Sequence, residues 1–552
     1  MSEKAALRVV SDSPRSRDAD GSAWSPPSQE IIIGKDVLEL LSTSMYVEPQ
    51  TIYREYIQNA ADAIDQAREQ GLLPHSRRGR VDIAIDAPAR SIRIRDNGVG
   101  IAWRHFAERL SNLGASTKRG TPARGFRGVG RLAGLGYCQE LIFRSRTAGE
   151  TLTSELRWDC RGLKAALRSS THGQYLVPLV QEVVAVRRTS AQAYPERFFE
   201  VELKGVIRHR DDRLLNPHSV GDYLAQVAPV PFSPDFKFGD EIAAALRPHV
   251  RLGELDIHIN ASETPLYRPH RNRIQLGERE SDSVTDLELC ELTSVDGATA
   301  AIGWVLHHGY SGAIPSSALI KGLRLRTGNM QVGDHTLLEE LFPESRFNSW
   351  AVGEVHVIDS KVLPNGRRDH FEQSVHFDNL LNQLAPMARE ISRRCRQSSI
   401  GRKWIREFEL HRGAALETAR IIKRGGISKA ARASHADSVA KSLKAMRKVV
   451  NTRHLGADTR LALESQMEAA EMRVKQLLGA EAREQDPLAM FKPQVRTAYQ
   501  HLISLIYECT SSRVVASSLV EKILTRLTEK PKAGEQKVGS VAKKATRGRK
   551  RK

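Results

Sequence analysis

Three polar side chains fall on one stripe in the segment YREYIQNAADAID: Glu55, Asn59 and Asp62, four and then three residues apart. On a helix they would share a face. A carboxylate there could take a proton from water. An amide oxygen one turn on could hold Mg2+, an ion that keeps several waters and needs only one or two protein oxygens. The small residues Ala60, Ala61 and Ala63 would let a flat ligand or a sheet come close. Alone, the stripe is more simply a solvated polar face. A second element, RDNGVGI, ends the strand-like SIRI with Asp96, then Gly98 and Gly100. An aspartate at a strand end can accept from an exocyclic amine such as that of adenine, and glycines let the backbone turn beneath a base. An ordinary Asn-Gly turn would be written the same way. The third element is glycine-rich, with Gly114, Gly120, Gly125, Gly128, Gly130, Gly134 and Gly136. Glycine backbone at a helix start presents N–H groups to phosphate oxygens, and Lys118, Arg124 and Arg127 add positive charge; a flexible loop with a glycine-lined helix contact is the plainer alternative.

The elements that must position these residues are legible nearby. From Ile31 the pattern is helical, and Ile52, Tyr56, Ile57, Ala60 and Ile64 recur at three-to-four spacing. GRVDIAID and SIRIRDNG alternate apolar and polar residues and form a strand pair joined by APAR. Helix, helix, strand, strand, glycine-rich loop and helix in that order predict an α/β sandwich, with strand-like segments reaching RFFEVELKGVIR. Expected boundaries are a disordered leader at 1–29, the α/β domain at 30–210, a middle α/β domain at 211–380, a basic helical region at 381–530 and a disordered basic tail at 531–552. The helical region is interrupted at RGGIS, NTRHLGADT and EQDPLAMFKP.

The three chemical elements, in this order and spacing, resemble the GHKL ATPase superfamily, which includes gyrase, histidine kinases, MutL and the ninety-kilodalton heat-shock chaperones. The run LELLSTSMYVEPQTIYREYIQNAADAIDQA is most similar to the heat-shock chaperones, and GFRG is similar to MutL. The resemblance implies a Bergerat-type α/β sandwich followed by a transducer-like α/β middle domain and an all-α C-terminal region. It implies ATP and Mg2+ as ligands. Carried over residue by residue, the N-box is Glu55, Asn59 and Asp62; Glu55 would be the general base and Asn59 the Mg2+ ligand. Asp96 would read adenine, with Gly98 and Gly100 shaping its pocket. Lys118, Gly125, Gly128, Val129 and Gly130, in the second glycine box and the lid before it, would hold phosphates. VLPNGRRDHFE resembles the chaperone loop that reaches the γ-phosphate, with Arg367 and Arg368 as candidates; surface ion pairs with Asp369 or Glu372 are their plainer use. Two departures stand out. The family's late Gly-Thr pair, whose hydroxyl supports the aspartate, is replaced in RFFEVELKG by Phe198-Phe199, so either this strand is not the counterpart or waters replace the hydroxyl. The lid between Gly114 and Gly125 is short.

The chain of 552 residues is long enough for three or four domains. Nothing resembles a secretion signal, and the apolar run IIIG is too short to span a membrane, so a cytoplasmic protein without membrane attachment is expected. The five cysteines are scattered, which gives neither a disulfide framework nor a zinc spacing. Net charge is +19, and its excess lies at one end: from Arg389 onward there are 37 Lys and Arg against 16 Asp and Glu. A near-neutral body thus carries a basic appendage. The resemblance implies a homodimer that closes on ATP: a chaperone-like clamp on client protein, favoured by the run around Glu55, or alternatively a MutL- or MORC-like clamp on nucleic acid, which the basic excess supports.

Overall fold

Alternating apolar and polar residues give a strand one face for the core. GRVDIAID and SIRIRD do this as β1 (Gly79–Asp86) and β2 (Ser91–Asp96), antiparallel, with Ile83 opposite Ile94 and Ile85 opposite Ile92. The computed structural model describes residues 34, 35, 38, 48–112, 124, 130–169, 175–208, 211–479 and 486–528. Around the hairpin stand β3 (Glu140–Arg146), β4 (Leu152–Asp159), β5 (Val184–Ser190), β6 (Phe198–Lys204) and β7 (Leu255–Ile259). The sheet order is β5-β4-β3-β6-β2-β1-β7, antiparallel throughout except for β7 beside β1.

Helix α1 (Thr51–Glu69) packs on one face, burying Ile52, Tyr56, Ile57, Ala60 and Ile64 with Val81, Ile83, Ile92, Ile94 and Leu203. Each such aliphatic side chain contributes about 1.5–3 kcal/mol by leaving water. The other face is charged. Strand register lines up His258, Asp82, Arg95, Glu200, Arg144, Glu155 and Arg187 across all seven strands. Ion pairs run along this row, with Arg144 2.9 Å from Glu200 and 2.7 Å from Glu155. Opposite charges on neighbouring strands favour this register.

The sheet and its core cross the boundary expected at 210. LDIHINAS, assigned by sequence to the middle region, supplies β7, and the same core takes in Leu214, Leu215, Val220, Leu224 and Val227. Apolar alternation identifies a strand but not the sheet it joins.

Next come a small ribbon, β8 (Arg273–Gln275) with β9 (Ser281–Ser283), and a second sheet. That sheet holds β10 (Asp286–Thr293), β11 (Thr299–His307), β12 (Gly322–Thr327), β13 (Met330–Val332) and β14 (Val352–Val357), in the order β10-β11-β14-β12-β13. Its core includes Phe236, Ile242, Leu246, Trp304, Leu306 and Val352. Glu354 on β14 is buried between Arg268 and Arg326, and Arg268 also donates to Asn329 Oδ1 (2.6 Å).

The described residues of Met1–His308 and Ala313–Arg389 form one compact unit, and those of Gly309–Gly312 and Glu390–Lys552 a second. The second unit is helical. It contains Lys429–Val450, Ala457–Leu478, Pro493–Cys509 and Arg513–Thr528, and the part of Val375–Arg424 from residue 390 on. RGGIS ends helix Val375–Arg424 because Gly425 and Gly426 take φ of 74° and 73°, the left-handed conformation that ends helices. Ser428 then caps the next, accepting from the Ala431 N–H. Phe408, Met446, Leu463 and Met467 form one of its apolar clusters, and Ile421, Ile503, Val520 and Leu524 another. No described helix is long and apolar enough to cross a membrane.

Candidate active site

Helix α1 is one wall of the site. Glu55 on it is buried, and Asn59 and Asp62 are half-buried. Asp96 ends β2 on the face that β1 and β2 turn toward the core, opposite Val81 on one side and Phe199 on the other. Its Oδ1 accepts from the Gly98 N–H at 2.8 Å. Burial pushes the carboxyl up to about 7, while the Gly98 N–H and the charge of Arg197 pull the other way. Arg197 also donates to the Gly98 carbonyl at 3.0 Å.

Small residues let the two walls meet. A Cβ on Gly98 would lie 2.6 Å from that of Ala63, and the Val99 N–H donates to the Ala63 carbonyl at 3.2 Å. Gly100 has φ of 70°, and a Cβ there would sit 2.4 Å from the Arg146 carbonyl. Gly130 closes on the other end of the stripe, where a Cβ would lie 2.2 Å from Glu55 Oε2. The short 3-10 helix Gly130–Gly136 is held to α1 by the Gly134 N–H, which donates to the Tyr56 hydroxyl at 2.9 Å. Lys118, Gly125, Gly128 and Val129 lie outside the described residues.

The two arginines of VLPNGRRDHFE come to α1 from more than 300 residues away. Arg368, at φ of 57°, brings Nε within 3.6 Å of Glu55 Oε1. Arg367 is exposed. Sequence reasoning missed what holds the pair. Arg54 donates to the Arg367 carbonyl (2.9 Å) and the Arg368 carbonyl (3.3 Å). An arginine next to Glu55 was visible, but its partners were too distant in sequence to infer.

Two further residues, Ser145 and Arg124, have places the sequence did not indicate. The strand carrying Phe198-Phe199 does lie beside Asp96, so no threonine hydroxyl comes from that position. A hydroxyl comes instead from Ser145, opposite Phe199 on β3. It accepts from the Ile101 N–H (2.7 Å) and donates to the Phe198 carbonyl (3.0 Å), pinning the end of the Asp96 loop. Arg124, expected to add charge for phosphates, points elsewhere. Its Nη1 lies 2.7 Å from Asp65, and its backbone N–H donates to Asp62 at 3.0 Å. Asp62 is thereby engaged within the protein.

The residues present fit a purine nucleotide and a hard cation. Asp96 is a buried acceptor beside glycine backbone, as an exocyclic amine requires. The Asn59 side chain makes no hydrogen bond with another described residue, so its amide oxygen is available to a cation. No group of three or more His, Cys, Asp or Glu among the described residues could hold a metal. Mg2+ at Asn59 would therefore lean on phosphate oxygens and water, as this ion commonly does.

Comparison with known proteins finds relatives over this part of the chain. Residues 47–174 match the family described as histidine kinase-, DNA gyrase B- and HSP90-like ATPase. The chaperone protein HtpG of Alkalilimnicola ehrlichii is 28% identical over 200 residues, 33% of this chain and 29% of that protein. HtpG of Chromobacterium violaceum is 28% identical over 208 residues, covering 33% and 30%. HtpG of Polaromonas naphthalenivorans is 29% identical over 143 residues, 23% of each. The chain thus spans less than a third of the length of these relatives.

Proposed function

From the premise that the N-terminal part of this chain is a GHKL-type ATPase domain of the HSP90-like kind, we propose that the protein binds Mg·ATP, hydrolyses it to ADP and phosphate, and acts as a chaperone-like, nucleotide-gated dimeric clamp. The observation that carries the reading is the approach of Arg368 to Glu55 at 3.6 Å, beside Gly130 and one helical turn from Asn59. In this reading Asp96 accepts from the adenine amine. Gly98 and Gly100 leave room for the base. Asn59 contributes an oxygen to Mg2+, which when bound neutralises phosphate charge. Arg368 leaves Glu55 for the γ-phosphate, where a guanidinium can donate two hydrogen bonds. The carboxylate so released accepts a proton from the attacking water. Because the arginine belongs to the loop at 362–372 and the base to α1, the γ-phosphate would replace their direct ion pair with a bridge that ATP offers and ADP does not, and hydrolysis undoes that bridge.

Phosphate release and calorimetry test this. Glu55→Ala should keep Mg·ATP affinity and lose turnover by about 100-fold, the scale of a lost general base. Arg368→Ala should lower turnover with little change in ADP affinity, and Arg367→Ala should leave both near wild type. Wild-type turnover in Glu55→Ala removes the proposed base.

A second reading, a clamp on nucleic acid, is favoured by helix Lys429–Val450. Lys441, Lys444 and Lys448 are exposed at three- and four-residue spacing on one face, where Asp437, paired with Lys441, is the only acid of the helix. Such a face suits phosphate backbones, and each lysine that neutralises one steepens the salt dependence by about 0.9. Duplex DNA binding whose salt slope falls by two to three units in the triple Lys→Gln variant supports this reading; absence of binding at low salt removes it.

A further inference from the structure

Arg124 occupies a socket built from three separate stretches of chain. Its side chain is 4% exposed. One wall is α1. Asp65 Oδ2 takes Nη1 at 2.7 Å, and Asp62 Oδ1 takes the backbone N–H at 3.0 Å with Nη1 at 3.5 Å. The second wall is the β12–β13 turn, where the Gly328 carbonyl accepts from Nε at 2.6 Å. The third is Gly253. Gly253 and Gly328 have φ of 52° and 56°, and a Cβ on either would strike the arginine: 2.1 Å from Nη2 in the first case, 2.9 Å from Cγ in the second. Asn329 fastens these two walls together, donating to the Leu252 carbonyl at 2.7 Å while accepting from Arg268. The Arg124 carbonyl, in turn, accepts from Arg368 Nη2 at 3.1 Å. One residue of the glycine-rich stretch therefore touches the helix that carries Glu55, the turn of the second sheet, and the arginine that approaches Glu55.

We infer that Arg124 is a positioning residue that couples the glycine-rich stretch to the second sheet and holds Arg368 in place. The inference rests on the ATPase reading for its effect on turnover, but not for the socket itself. A planar guanidinium can donate to a carbonyl and a carboxylate at once through Nε and Nη1. A lysine at the same place has one nitrogen and cannot span both. The two glycines are the other half of the device: they leave the backbone where a side chain would expel the guanidinium. Charge alone therefore does not satisfy the socket.

Two readouts test this, one of which needs no nucleotide. The Arg124–Gly125 bond is a trypsin site, and burial of the arginine side chain shelters it. Full-length Gly328→Ala, Asp65→Asn and wild type are digested briefly without nucleotide, and cleavage after Arg124 is followed by mass spectrometry. We expect both variants to be cut there at least fivefold faster, with cleavage elsewhere unchanged. In parallel, Arg124→Lys and Gly328→Ala should lower kcat about tenfold while ADP affinity stays within about threefold and the calorimetric binding stoichiometry stays that of wild type; loss of folded protein would lower the stoichiometry. Circular dichroism selects variants that fold, and Gly328→Ala makes the test independent of any failure of Arg124 substitutions. Unchanged cleavage and unchanged kcat in Gly328→Ala overturn the inference. Wild type without ATP turnover, but with the expected cleavage pattern, overturns the ATPase reading and leaves the socket standing.

Discussion

At the scale of single residues, Asp96 gives the sharpest test. An aspartate in an unfolded chain titrates near 3.9, and burial in the folded protein pushes this one up to about 7. Between those values the folded chain keeps a proton that the unfolded chain has lost. The associated stability is fully present below about pH 4 and disappears as pH rises through 7. Asp96→Asn has no such dependence. In urea unfolding without nucleotide, the variant should gain on wild type by on the order of 4 kcal/mol between pH 4 and pH 8, at about 1.4 kcal/mol per pH unit. Mg·ATP binding, read by calorimetry, should be lost in the same variant. A difference that stays flat with pH refutes the buried, uncharged acid. Asp96 was legible because a strand pattern ended on it and glycines followed. Glu55 and Asn59 were legible by helical spacing. Ser145, Arg197 and Arg54 were not, since each acts on atoms at least 40 residues away and only strand register or chain return brings them there.

At the scale of elements, the question is how closely helix and sheet approach. Ala63 and Gly98 face each other where α1 meets the Asp96 loop, and a side chain on Gly98 could not fit without separating them. Gly98→Ala should cost about 1–3 kcal/mol, the usual penalty for overpacking, and should weaken nucleotide binding as well. A thermal melt unchanged from wild type would show that the loop yields freely. Sequence reading succeeded for the hairpin, whose turn falls at APAR, and for the helix breaks at RGGIS and NTRHLGADT. In both cases local residues decide the structure: alternation of side chains, left-handed glycines, a capping serine. It failed for β7, whose LDIHI would suit either sheet, and which pairs with β1 through contacts the local pattern does not encode.

At the scale of the whole molecule, the proposed dimer needs a surface. Helix Pro493–Cys509 has one: Val495, Leu502 and Leu505 are exposed by 43, 49 and 40%, and Ala498 and Cys509 complete a three-four-three-four spacing. That is the seam by which helices pair. Leu502→Lys with Leu505→Lys should turn a sedimenting dimer into a monomer; a wild type that sediments as a monomer at every concentration, with or without a non-hydrolysable nucleotide, refutes the pairing. The basic excess after Arg389 was legible by counting, whereas which lysines share an exposed face depended on burial. The parallel pairing of β7 with β1 has one more consequence. During synthesis on a ribosome, the first sheet stays open along β1 until Ile259 has emerged, well after the residues of Glu55 and Asp96 are available. A nascent chain halted near residue 210 would expose an unpaired strand edge, the kind that recruits other chains. Nucleotide competence should therefore appear late in translation, in one step with closure of that edge.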